Sequence, residues 1–111
     1  SIDSALTAAL RERSAAEYDR TRERRSLESA LVAEHARYVE LSRRQTLYED
    51  RILAQVRAHA AAALDAYRSD TADFADVMRA YIDDLDTRTE FLRLSTERAK
   101  SFAALAYLGG L

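Results

Sequence analysis

The chain has 111 residues with no proline, no cysteine and only two glycines, Gly109 and Gly110, and it is rich in Ala, Leu, Glu and Arg. Such a composition excludes a turn-rich β or mixed fold and points to long helices, while the missing cysteines leave the redox compartment open. A formal net charge of −2 gives no overall field for nucleic acid or an anionic membrane surface, so neither partner is expected.

Residues 1–25 open with Ile2, Leu6 and Leu10 at helical spacing and continue as a polar tract. There Arg11, Arg13, Arg20, Arg22, Arg24 and Arg25 alternate with Glu12, Glu17, Asp19 and Glu23; with Asp3, five acids stand against six arginines. So even a balance reads as a solvated, salt-bridged helix face rather than a nucleic-acid helix. The N-terminus, Ser-Ile-Asp-Ser-Ala, lacks the basic and apolar regions of a signal peptide, and no long apolar run follows. The stretch is expected to be soluble, with any export signal removed or outside it.

From Leu27 the apolar residues Leu27, Leu31, Tyr38, Leu41, Tyr48, Ile52 and Val56 recur in steps of three, four and seven, which keeps one stripe on one helical face. A second stripe, Leu53, Ala60, Leu64 and Tyr67, lies beside it. The run Ala60-Ala61-Ala62-Ala63 offers small side chains that let neighbouring backbones approach closely.

Ser69-Asp70-Thr71 then interrupts the helix-compatible sequence, because Ser, Asp and Thr compete with a helix by bonding their own backbone. Asp70 is expected in the left-handed conformation that ends a helix, and Thr71 as the N-cap of the next, with Asp73 and Asp76 in its first turns. The spacing predicts an all-α, long antiparallel hairpin with helix 1 over about 3–68, helix 2 over about 72–108 and the turn near Ser69–Thr71.

Helix 2 carries Phe74, Met78, Tyr81, Leu85, Arg88, Leu92, Ser95, Ala99, Phe102 and Ala106 in alternating steps of four and three, the heptad pattern of a left-handed supercoil. That row is the expected seam. Val77, Phe91, Leu94, Leu105 and Leu108 lie off it, so helix 2 has more apolar surface than one partner covers, and contacts with other subunits are expected. With the turn near Asp70, position i of helix 1 meets about 140 minus i of helix 2, so helix 2 reaches back to about Leu31 and the first thirty residues overhang. At about 1.5 Å per residue the longer arm would span ~100 Å.

No nucleophile–base pair or metal-ligand set is present, so no catalytic residue, metal site or cofactor is expected. His35 and His59 are too far apart in sequence for two imidazoles to share one helical turn, and Met78 reads as core beside the turn rather than as a copper(I) ligand. Charge is concentrated near the turn. Between Ala63 and Glu90, the acids Asp65, Asp70, Asp73, Asp76, Asp83, Asp84, Asp86 and Glu90 face only Arg68, Arg79 and Arg88. The plain reading is a solvated tip kept soluble by aspartates; the functional one is a negative potential focused at a pore entrance by three copies.

Four motifs in order carry a resemblance: Leu47-Tyr48-Glu49 leading into Asp50 to Gln55, Tyr67-Arg68-Ser69-Asp70 at the turn, Asp73-Phe74 after it, and Leu105-Ala106-Tyr107-Leu108-Gly109 at the close. They resemble the C-terminal half of outer membrane efflux proteins of the TolC family, most nearly the heavy-metal branch of the CusC and CzcC type, over roughly residues 27–111. Ala54 stands where the family often has proline, and Asp70 where it often has glycine.

The resemblance implies that residues 1–111 form one periplasmic hairpin, a fragment of a trimeric channel whose outer membrane barrel continues inward as a helical tunnel. It implies docking of a periplasmic adaptor protein at Arg68, Ser69, Asp70, Thr71 and Ala72, and indirect coupling to an inner membrane pump of the RND type. Tyr67, Asp73, Asp76 and Arg79 would line the pore rim. Asp76 matches an aspartate of a cation-selective ring, with Arg79 at the next ring position, and Tyr67 matches a turn tyrosine that helps hold the entrance closed. The arginine partner of that tyrosine falls at Ala72, so this lock does not carry over. The alternative reading is a general coiled-coil or helical-bundle interaction module.

Overall fold

In the computed structural model, which describes residues 1–110, two antiparallel helical arms meet at one tight turn. The first arm is α1 (Ile2–Leu47), a single π-helical segment (Tyr48–Ile52) and α2 (Leu53–Arg68); the second is α3 (Phe74–Leu108). The molecule measures 98 × 23 × 14 Å, which is the length the sequence predicts for its longer arm. No described helix is long and apolar enough to cross a membrane.

The arms pack through two rows that the burial pattern picks out. On the first arm the row is Leu31, Glu34, Tyr38, Leu41, Gln45, Tyr48, Ile52, Val56, Ala60 and Ala63, all buried or half-buried. On α3 it is Val77, Ala80, Asp84, Thr87, Phe91, Leu94, Arg98, Ser101, Leu105 and Leu108, again all buried or half-buried. The α3 row alternates steps of three and four without a break, as a helix must to stay on a supercoiled partner.

The first arm departs from that alternation at one place, between Tyr48 and Ala60, where steps of four follow one another and one residue too many is present. Here the helix is π: the Leu53 amide donates to the Tyr48 carbonyl, five residues back. One wider turn takes up the extra residue, so Val56, Ala60 and Ala63 return to the face that Leu31 to Tyr48 occupy. Without it everything beyond would be rotated by about 100°. The predicted helix 1 is therefore continuous in direction but not in hydrogen-bond pattern.

The expected seam of helix 2 is corrected. Phe74, Met78, Tyr81, Leu85, Leu92 and Phe102 are exposed, and the residues placed off the seam, Val77, Phe91, Leu94, Leu105 and Leu108, face the first arm. Both rows have heptad spacing and sit one residue apart, so periodicity does not choose between them; size does. Ala60 on α2 and Ala80 on α3 are almost fully buried, and the gap they define near the turn admits Val77 and Ala80 but not Phe74 or Tyr81. Met78 is correspondingly not core beside the turn: it is 44% exposed, and its neighbour Val77 is the buried side chain.

Polar seam positions are satisfied across the gap. Arg98 donates to Ser42 Oγ at 2.8 Å and Tyr38 Oη at 2.9 Å, and its guanidinium lies over the Tyr38 ring, 5.1 Å from the centroid. The Ser101 hydroxyl donates to the Glu34 carbonyl, and Gln45 Nε2 donates to Ser95 Oγ at 3.0 Å. Ion pairs Arg37–Glu97 and Arg44–Glu90 flank this stretch one heptad apart on each arm. Ser42 with Arg98 and Gln45 with Ser95 obey the predicted rule of 140 minus i. At the far end Leu108 meets Leu27 and Ala30 in a shallow groove, so the overlap ends where expected. Before it, residues 1–26 are exposed except for half-buried Ala16 and Thr21.

Candidate functional site at the hairpin tip

Two helix ends meet at the tip, and each is closed by its own backbone. At the end of α2 the Asp70 amide donates to the Tyr67 carbonyl at 3.1 Å and the Thr71 amide to the Ala66 carbonyl at 2.9 Å. With Asp70 at φ 58°, this is the Schellman arrangement, in which a left-handed residue reverses the chain and satisfies the last carbonyls. Asp70 adopts the conformation expected of it. Thr71 does not have its expected role: its hydroxyl donates back to the Ala66 carbonyl at 3.0 Å, and the N-cap of α3 is Asp73. Helix 2 accordingly begins at Phe74 rather than near 72, because Thr71 is spent on closing α2.

The Asp73 amide donates to Asp76 Oδ2 at 3.1 Å, the return half of a capping box, and Arg79 donates to Asp76 Oδ1 at 2.5 Å. The backbone hydrogen bond at Asp73 first, and the Arg79 guanidinium second, hold the Asp76 carboxyl below the usual carboxylate range. Asp76 and Arg79 are thus brought together as an ion pair at the helix start. Tyr67 and Phe74 pack edge to face across the turn with centroids 5.8 Å apart, which pins the two helix ends to each other. Arg68, Ser69, Asp70 and Thr71 are exposed and Ala72 is half-buried; Arg68 makes no ion pair among the described residues.

The acidic excess survives local pairing. Asp76 is paired with Arg79, buried Asp84 with Arg88 at 2.6 Å, and Glu90 with Arg93 and Arg44. Among the described residues Asp65, Asp70, Asp73, Asp83 and Asp86 have no ion-pair partner, so the tip carries its negative charge on these. A groove of about 390 Å³ beside the tip is lined by His59, Ala63, Ala72, Asp76, Arg79, Ala80 and Asp83. His35 and His59 are both exposed, and among the described residues no group of three His, Cys, Asp or Glu side chains is placed to hold a metal ion.

Asp84 was legible only as one acid among eight. Its burial on the seam follows from Arg88 one turn later, whose guanidinium reaches back to it from the outer row, the favoured order for an i, i+4 pair. Asp70→Gly is expected to stabilise the hairpin by about 0.5–1 kcal/mol, since Gly takes the left-handed conformation without a Cβ penalty. Thermal denaturation followed by circular dichroism should show Tm higher by a few degrees; an unchanged or lower Tm would mean that the Asp70 side chain contributes to the turn.

Compared with models of known protein families, with curated proteins and with solved structures, the chain matches none of them. What the geometry itself defines is an elongated two-arm helical hairpin with a tight, polar, acidic tip.

Proposed function

We propose that this hairpin is part of the periplasmic tunnel of a trimeric outer membrane efflux channel of the TolC family, in a tripartite system driven by an inner membrane pump of the RND type. The observation that carries the proposal is the combination of a 98 Å rod with a small polar tip and a second apolar row along α3 that its own arm leaves exposed. A tunnel stave needs these three properties: length, a tip that another protein can meet end-on, and lateral surface for neighbouring staves.

In this reading Arg68, Ser69, Asp70, Thr71 and Ala72 meet a periplasmic adaptor protein, and Tyr67, Asp73, Asp76 and Arg79 form the rim. The chain performs no chemistry; three acidic tips attract cations and repel anions by their field. Heavy-metal ions are the proposed cargo, on the likeness of sequence to that branch. The Tyr67–Phe74 contact holds the two helix ends of one hairpin together, so opening would move α2 and α3 as a unit at the tip.

Asp76→Asn in the full-length trimer is expected to lower the preference for cations over anions in planar-bilayer conductance. Unaltered selectivity removes Asp76 from the rim and leaves it a capping residue, the role its bonds to Asp73 and Arg79 already give it. The second reading, a general helical-bundle interaction module, is favoured by the two heptad rows of α3 and makes no demand on the tip. Photocrosslinking from position 69 or 71 to a co-expressed adaptor separates the two, because only the channel reading places a partner there.

A further inference from the structure

We infer that α2 is a strap, held at both ends, that lifts from α3 as a unit while α3 and the rest of the first arm stay packed. The arms are not fastened evenly. Every side-chain hydrogen bond and ion pair that crosses between them lies between residues 34–45 of the first arm and 90–101 of α3. Among the described residues none joins 53–65 to α3.

The two stretches also differ in what they bury. The one buried side chain of α1 is Leu41 and the one of α2 is Ala60, and a methyl group loses far less than an isobutyl group when water returns to it. Opposite α2, the seam position of Asp84 makes no bond across the gap, because Arg88 of its own helix takes both carboxylate oxygens, at 3.2 and 2.6 Å. Lifting α2 therefore breaks no polar side-chain bond between the arms and exposes mainly small side chains.

The ends of α2 fix the kind of motion. At its start the π segment Tyr48–Ile52 interrupts the regular hydrogen-bond ladder, and helices bend most readily where the ladder changes. At its far end the Tyr67–Phe74 contact and the closed turn tie it to α3. A 16-residue helix tied at both ends bows outward instead of swinging free. No such interruption occurs in α3 from Phe74 to Leu108, so α3 is the straight member from which α2 departs. The lifted strap uncovers Val77, Ala80 and Asp84. Because the tip stays tied, this motion does not rest on the channel reading and survives its failure.

A lifted helix of this length is marginal on its own in water, so its amides exchange once it leaves α3. Hydrogen–deuterium exchange of the full chain, corrected for intrinsic rates, is expected to run about tenfold or more faster in 53–65 than in 77–88, which face them, and than in 34–45. Equal exchange in 53–65 and 77–88 would mean that the tip unzips symmetrically, and equal exchange in 53–65 and 34–45 that the first arm opens as one; either overturns the strap. Deleting Asp50, which removes the π turn, should slow exchange of α2 toward that of α3, and an unchanged rate would overturn the hinge. A second readout does not depend on unwinding. The chain has no cysteine, so Val77→Cys and Ser101→Cys each place a single thiol at a buried seam position, 5% and 0% exposed in the parent, the first under α2 and the second under the fastened stretch. Under native conditions Val77→Cys is expected to react with an aromatic disulfide reagent about a hundredfold faster than Ser101→Cys; equal rates count against the strap.

Discussion

One alanine inserted after Thr89 is expected to abolish packing of the outer half of the hairpin, whereas deletion of Asp50 is expected to leave the hairpin folded. The insertion advances every later residue of α3 by one, so the seam positions of Phe91, Leu94, Arg98 and Ser101 would receive Glu90, Arg93, Glu97 and Lys100. Four charged side chains would then face Leu41, Gln45, Tyr48 and Tyr38, where uncompensated charge is not tolerated.

Deleting Asp50 acts in the opposite sense. It removes the residue that the π turn absorbs, and Leu53, Val56, Ala60 and Ala63 then continue the three-and-four alternation from Tyr48 in an ordinary α-helix. Circular dichroism on heating should show a cooperative transition for the deletion at a Tm equal to or above that of the parent, and for the insertion a loss of cooperativity. Equal damage from both changes would mean that the π segment is not the place where the arm stores its extra residue.

The same heptad reasoning shows which parts of the fold were legible in the sequence. Helix, turn, direction and overhang all follow from residue types: no proline anywhere and no glycine before residue 109, one polar run at Ser69-Asp70-Thr71, and an apolar stripe from Leu27 to Val56. The left-handed Asp70 and the Tyr67–Phe74 contact were also accessible, because only one residue of that run suits positive φ and only two aromatic rings flank it. Thr71 was misplaced because Ser, Asp and Thr suit the end of one helix as well as the start of the next, and the three-dimensional reach to Ala66 decides between the two. The extra residue at Tyr48–Ile52 was present in the sequence as successive steps of four, but a stripe one residue wide hides a shift that the neighbouring residues, Leu53 and Leu64, can mask.

The charged residues at the tip were legible as an acidic cluster and not as a network. Sequence spacing gave no reason to prefer Asp76 over Asp73 as the capped carboxylate, or to tie Arg79 to it, since both depend on where α3 begins. That start is fixed by Asp73, two residues later than the spacing suggested, and the shift is what makes Asp76 the N3 residue of the helix, accepting from the Asp73 amide.

The choice of seam on α3 can be tested by its energetics, and the second large effect is expected there. Leu94 is 0% exposed and Leu92 65% exposed, yet they are two residues apart, of one type, in one helix. Leu94→Ala is expected to cost about 2–5 kcal/mol, the transfer term of the lost methyl groups plus the cavity left against the first arm. Leu92→Ala is expected to change the stability of the single hairpin by less than about 0.5 kcal/mol, because Ala has the higher helix propensity and little contact is lost.

Urea denaturation of both variants at the lowest workable concentration measures this difference directly. A hairpin held together by the outer row would reverse the order at every concentration. Near-equal costs at low concentration would mean that α3 uses both faces within one chain, which the exposure of Phe74, Leu85 and Leu92 in the single hairpin argues against.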